Sequence, residues 1–150
     1  MSRFLVFSDV HGDKLSLLKL KQIANECDGV IFAGDGYSAL KDFTDKPVFA
    51  VGGNCDLSGA PEIVTEIEGA KILLTHGHRY GVKSSLLSLT LRARELECTV
   101  AIFGHTHQPF CSIENGVFML NPGASSGHVR TYAILTVENG VAQADVTKLY

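Results

Sequence analysis

Apolar and polar positions along the chain fall into two recurring patterns. Short, nearly continuous apolar runs, of the kind a sheet buries on both faces, occupy residues 3–8, 29–33, 47–51, 70–75 and 99–103. Leu17, Leu20, Ala24 and Cys27, and later Leu86, Leu89, Ala93 and Leu96, recur at helical spacing and predict two helices. In the first of these, Lys19, Lys21, Gln22, Asn25 and Glu26 face elsewhere. β-type stretches follow at 116–120, 131–137 and 141–146, the last two joined by a turn at Glu138-Asn139-Gly140. The chain reads as α/β, with strands and helices alternating before a strand-rich end. No repeat, low-complexity tract or linker interrupts it, so residues 1–150 are expected to form one domain.

The five early apolar runs share a kind of ending. They stop at Asp9-Val10-His11-Gly12, Gly34-Asp35, Gly52-Gly53-Asn54, His76-Gly77-His78 and Gly104-His105-Thr106-His107. Taken singly, each is an ordinary turn, because Gly-Asp pairs and strand-end histidines commonly close loops. Parallel strands, however, deliver their C-terminal ends to one edge, where ligands bind. Five polar clusters on one rim would bring together Asp9, His11, Asp35, Asn54, His76, His105 and His107, which include four of the six histidines. This mixed nitrogen and oxygen set suits Mn, Fe, Zn or Ni better than an all-oxygen calcium or magnesium site. Seven donors exceed one tetrahedral ion with an open position, but they suit two ions sharing a carboxylate. Such pairs clamp the attacking and leaving oxygens of phosphoryl transfer.

Composition narrows the field. Hydrophobic residues at 45% and charged residues at 19% are the balance of a globular domain. A net charge of −3 argues against a broad basic surface for nucleic acid or anionic lipid, so metal would have to supply positive charge to a phosphate. Only residues 4–7 are apolar after Arg3, too few for a signal peptide, and no run approaches the roughly 20 residues of a membrane span. The cysteines, Cys27, Cys55, Cys98 and Cys111, have no C-x-x-C spacing and are expected to be reduced thiols in a cytoplasmic protein.

The motifs Asp9-Val10-His11, Gly34-Asp35, Gly53-Asn54-Cys55-Asp56, Thr75-His76-Gly77-His78 and Gly104-His105-Thr106-His107 together resemble the calcineurin-like metallophosphoesterase family. Within it they are similar to the small prokaryotic phosphodiesterase branch, to which the retromer scaffold subunit is related; Asn121-Pro122-Gly123 matches a loop of that branch. The resemblance implies a four-layer α/β/β/α sandwich of two facing β-sheets. It implies two divalent cations per chain, Mn2+ first, with Ni2+, Fe2+ and Zn2+ as alternatives. By motif position, Asp9, His11 and His107 would bind one ion, Asn54, His76 and His105 the other, and Asp35 both. Water shared by two cations becomes hydroxide near neutral pH and attacks phosphorus in line. The implied substrate is a small phosphodiester or other phosphoester, with no membrane or nucleic-acid partner; relatives that associate keep a homo-oligomer open.

Four residues are expected to act on the ester itself: Asn54, His105, Cys55 and His78. Asn54 can also donate a hydrogen bond to the phosphoryl group. Cys55 stands where many relatives carry a histidine that protonates the leaving oxygen, which favours diesters over monoesters. It reads as a metal ligand, a nucleophile, or simply a neighbouring thiol. His78 is an alternative proton donor or a residue that holds its own loop. Asp56 is expected to orient a histidine or cap a turn, and His128 to lie on an exposed loop. The first helix, opening just after His11, is expected to add a little favourable field for anions from its N-terminal amides. Pocket walls are expected from the loops after Asp35, Asp56 and His78. Three rivals stand beside the enzyme reading. A metal-containing interaction scaffold has the same fold without the chemistry, and a nuclease lacks a basic footprint here. A dinucleotide-binding domain fails because the first strand leads to Asp-Val-His-Gly rather than G-x-G-x-x-G.

Overall fold

The computed structural model of the chain describes residues 1–150. The elements of its first half are β1 (Ser2–Phe7), α1 (Lys14–Ala24), β2 (Gly29–Phe32), β3 (Val48–Ala50), β4 (Glu62–Ile67) and β5 (Ala70–Thr75). Those of the second half are α2 (Leu87–Glu95), β6 (Val100–Ile102), β7 (Phe110–Glu114), β8 (Val117–Asn121), β9 (Thr131–Glu138) and β10 (Val141–Lys148). Short 3-10 turns occupy Tyr37–Leu40 and His78–Tyr80.

Two five-stranded sheets result, ordered β10-β9-β1-β2-β3 and β4-β5-β6-β8-β7. β1, β2 and β3 are mutually parallel, as are β5, β6 and β8, while the flanking strands run antiparallel. The continuous apolar runs follow from burial on both faces. Phe4 and Val6 of β1 join Ile31, Ile72, Leu74, Ile102 and Leu135 in the core between the sheets. Leu5 and Phe7, one residue out of phase, pack instead with Leu20 and Ala24 of α1. On the far side, Leu73, Ala101 and Met119 turn outward onto Leu89 and Ala93 of α2. The layers are therefore α/β/β/α, the sandwich that the motif resemblance implies.

Local chemistry sets the boundaries. Asp13 caps α1 by accepting from the Ser16 amide at 3.1 Å. The helical spacing reaches Cys27, but the hydrogen-bonded helix stops at Ala24. Glu26 N–H and Cys27 N–H donate three residues back, to Ile23 and Ala24, which tightens the last turn and keeps Cys27 buried. Asn139 and Gly140, both at positive φ, form the two-residue turn of the β9–β10 hairpin. β4 and β7 have no counterpart among the runs read from the sequence. Each is an edge strand, and Phe110–Glu114 is almost wholly exposed. No helix is long and apolar enough to cross a membrane.

Candidate functional site

The strand-end clusters are stitched together by their own backbones. Asp9 N–H donates to the Gly34 carbonyl (2.9 Å) and Val10 N–H to the Asp35 carbonyl (3.1 Å), joining the ends of β1 and β2. Gly104 N–H donates to the His76 carbonyl (3.0 Å), joining the ends of β5 and β6. Between the sheets, Asp9 Oδ2 accepts from the His105 amide at 3.1 Å. The two rims thus become one site.

Asp9 and Asp35 are anchored in the same manner, each by one oxygen. Asp9 Oδ2 also accepts from Ser8 Oγ (2.6 Å), and Asp35 Oδ1 accepts from the Cys55 amide (2.8 Å). The opposite oxygens meet the histidines. Asp9 Oδ1 lies 3.2 Å from His107 Nε2, 3.7 Å from His11 Nε2 and 3.8 Å from His76 Nε2. Asp35 Oδ2 lies 3.3 Å from His76 Nε2 and 3.9 Å from His11 Nε2. The Asp35 oxygen is therefore common to a member of each ligand set expected from the motifs.

His76 discloses what this arrangement fits. Its Nδ1 lies 2.7 Å from the Ala33 carbonyl, which can only accept, so Nδ1 carries the proton and the Nε2 lone pair faces the two carboxylates. Both His76 Nε2 and Asp9 Oδ1 are buried without a hydrogen-bond partner. An unpaired buried polar atom costs about 1–3 kcal/mol, and more when charged. Lone pairs converging this closely are reconciled by a cation between them, and the imidazole and carboxylate donors suit a transition-metal ion. The donor set fits the implied metals.

The other expected residues take different places. His105 packs edge-on against His76, with ring centroids 5.1 Å apart, and His78 lies 5.5 Å from His76 and 6.0 Å from His105. Burial lowers the pKa of both His78 and His105, with His76 adding to the effect. Cys55 Sγ falls within 4.8 Å of ligand atoms of His11 and Asp35. The Asp35 carboxylate, chiefly, raises its pKa and keeps the thiol protonated. Asn54 is exposed, and its amide nitrogen contacts Cys55 Sγ at 3.6 Å. His128 is exposed on its loop.

Asp56 caps a turn and touches no histidine. Its carboxylate accepts from the backbone amides of Asp35, Gly36, Tyr37 and Gly53 at 2.8–3.1 Å. Burial works against the charge, yet these four donors outweigh it and hold the carboxyl below its usual range. The α1 N-terminus, expected to lend a little field to anions, has a carboxylate of the chain's own. Asp13 already occupies it and is itself paired with Arg130 at 3.0 Å.

Three supporting residues escaped the sequence reading. Ser8 anchors Asp9; Ser126 Oγ donates to the Asp9 carbonyl (2.7 Å). Buried Asn121 donates to the Gly104 carbonyl (3.2 Å) and Thr106 Oγ1 (3.0 Å) and accepts from the Gly123 amide, holding the His105–His107 loop. Asn121 stood in a recognised motif, but its partners lie 15–17 residues away.

Backbone strain gathers here as well. Asp9, His11, Asp35, His105 and His107 all have φ between 44° and 71°, a conformation costing a side-chain-bearing residue about 1–2 kcal/mol. Two glycines permit the close approach. A Cβ on Gly104 would lie 2.6 Å from Ser8 Oγ and 2.8 Å from Asp9 Oδ2, and one on Gly53 would overlap the Asp35 carboxylate.

Comparison with known proteins agrees with this geometry. Residues 2–140 match the calcineurin-like phosphoesterase superfamily domain. YsnB of Bacillus subtilis, a probable metallophosphoesterase, is 37% identical over 145 residues, spanning 92% of this chain and 86% of that protein. A predicted phosphoesterase of Streptococcus pneumoniae, known from its crystal structure, superposes with a TM-score of 0.81 at 26% identity, covering 99% of this chain and 90% of the other. An archaeal phosphodiesterase shares the fold, with a TM-score of 0.79 at 24% identity over 97% and 99% of the two chains. Built on two facing sheets and matched over residues 2–140, the chain belongs to the calcineurin-like phosphoesterase superfamily.

Proposed function

We propose that the protein is a metal-dependent phosphodiesterase that hydrolyses the P–O bond of a small phosphodiester. In this reading Asp9, His11 and His107 hold one divalent cation and Asn54, His76 and His105 the other, with Asp35 between them and Mn2+ the first choice. The observation that carries it is the Asp35 carboxylate, with one oxygen tied to the Cys55 amide and the other facing His11 and His76. When bound, such a pair supplies Lewis acidity, making water acidic near neutral pH and offsetting charge on phosphoryl oxygens.

The chain's own residues do the rest. Ser8, the His105 amide and Asp56 fix the donors before any ligand arrives, so little reorganisation is needed. A thiol at position 55 is a feeble proton donor compared with an imidazolium, which supports substrates whose leaving oxygen departs without full protonation. Free cysteines throughout support a reducing, cytoplasmic setting.

The test is hydrolysis of bis(p-nitrophenyl) phosphate and p-nitrophenyl phosphate with Mn2+ added, for the wild type and Asp35→Asn. The wild type is expected to prefer the diester, and the variant to lose bound metal and at least 100-fold in rate, about 2.7 kcal/mol of barrier. Equal rates in the two proteins would overturn the enzyme reading, and metal binding without hydrolysis would favour the interaction scaffold.

A further inference from the structure

A metal centre can hold a phosphoryl group but cannot distinguish one ester substituent from another; that falls to the walls beside it. One wall is a small polar cleft of about 130 Å3, where Gly53, Asp56 and Ser58 face His78 and Arg79. The other differs in size and chemistry. It is a cavity of about 400 Å3 between the loop after His78, which gives Val82, Lys83 and Leu86, and the segment after His107, which gives Gln108, Pro109 and Phe110. Phe103 closes its base. The volume falls in the range of about 300–1,000 Å3 typical of small-molecule sites, which are mostly apolar with a few placed polar groups.

The cavity adjoins the loops that carry the site, since a Cβ on Gly77, between His76 and His78, would lie 3.0 Å from Val82 of its lining. Thr106 lines it and sits in the chain between His105 and His107. Its hydroxyl is fixed on both sides, accepting from the Gln108 amide (3.1 Å) and meeting Asn121 Nδ2 (3.0 Å). Val82 and Phe103 are buried in the core under α2, so the floor of the cavity is rigid. Exposed Lys83 and Gln108 stand at its rim, and together with Thr106 they are its polar groups.

We infer that this cavity seats a planar aromatic or heteroaromatic substituent of the phosphodiester, its ring against Val82, Leu86, Phe103 and Phe110 and its polar edge read by Lys83 and Gln108. The apolar walls select a ring over a short alkyl or sugar group. The Lys83 ammonium adds an attraction for an anionic ester in a protein whose net charge is −3. This inference rests on the proposed phosphodiesterase reading, but its test does not require turnover.

Two phosphonate monoesters that cannot be cleaved at the P–C bond and carry the same charge, methyl phenylphosphonate and methyl methylphosphonate, are titrated calorimetrically into Mn2+-loaded protein. The phenyl compound is expected to bind at least about tenfold more tightly, which burial of only about 55 Å2 of apolar surface would supply. In Leu86→Asp, at a half-buried position, the ratio of the two affinities should fall to within about twofold, the added charge weakening both anionic compounds alike. Equal affinities in the wild type, no measurable binding of the phenyl compound, or a preference surviving in Leu86→Asp would overturn the inference. The wild-type comparison stands even if the variant folds poorly. If the ring preference is found but bis(p-nitrophenyl) phosphate is not hydrolysed, the phosphodiesterase reading fails and the cavity assignment survives; hydrolysis without ring preference is the reverse.

Discussion

At the scale of single residues, the site is organised by oxygens that never meet a ligand. Asp56 is the clearest case, since four amides from two loops converge on one carboxylate. Replacing Asp56 with Ala strands those donors, and hydrogen bonds to charged groups are individually worth about 1.5–3 kcal/mol. Because they share one acceptor, we expect a total loss of about 2–4 kcal/mol in urea unfolding, with weaker metal retention because Asp35 and Gly53 are released together. The donors themselves were legible from sequence because each closes a strand in a short motif. Ser126 and Asn121 were not, because what they hold is set by loops packing on one another; Ser8 holds its own neighbour but reads in sequence as one more residue ending a strand. Ser126 and Asp9 stand 117 positions apart.

At the scale of elements, the parallel strands announced themselves, while the edge strands β4 and β7 did not. A run such as β5, buried on both faces, needs apolar residues at nearly every position; β4 shows water one face and β7 nearly all of itself. β4 nonetheless anchors the loop that carries His78. Glu62 accepts from the Tyr80 hydroxyl and from Arg92 Nη2 of α2 at 2.8 Å. Burial opposes ionisation of Glu62, but Tyr80 and Arg92 prevail and hold its carboxyl below the usual range. A depressed folded-state pKa adds stability that is present above the unfolded value, about 4.3, and is lost as pH falls through the folded one. Thermal unfolding of wild type and Glu62→Gln should therefore differ by about 1–2 kcal/mol at pH 7 and converge as the pH is lowered below about 4. A gap that stays constant with pH would mean the carboxylate charge contributes nothing.

At the scale of the whole molecule, the candidate metal donors come from both sheets. Asp9, His11 and Asp35 follow strands of one; His76, His105 and His107 follow strands of the other. That two sheets would face each other was not legible from strand count, because alternation says which residues are buried and not which strands share a sheet. The consequence is thermodynamic. A cation held between the sheets would bind the folded chain and not the unfolded one, adding about 2.7 kcal/mol at a hundredfold excess over Kd. For a chain of this length that corresponds to roughly 5–10 °C in Tm, to be removed by EDTA and absent in Asp35→Asn. A melting curve indifferent to Mn2+ and chelator would count against metal binding across the sandwich.

The left-handed backbone at Asp9, His11, Asp35, His105 and His107 sets a cost against that gain. A His107→Gly chain keeps its fold with a relaxed backbone, and because this side chain is half exposed little packing is forfeited. Measured in EDTA, such a variant is expected to melt about 2–4 °C above the wild type, a gain of about 1 kcal/mol, while taking up less Mn2+. Each of these positions therefore trades heat resistance against a candidate donor, and what a glycine there would forfeit is the side chain's chemistry rather than the fold.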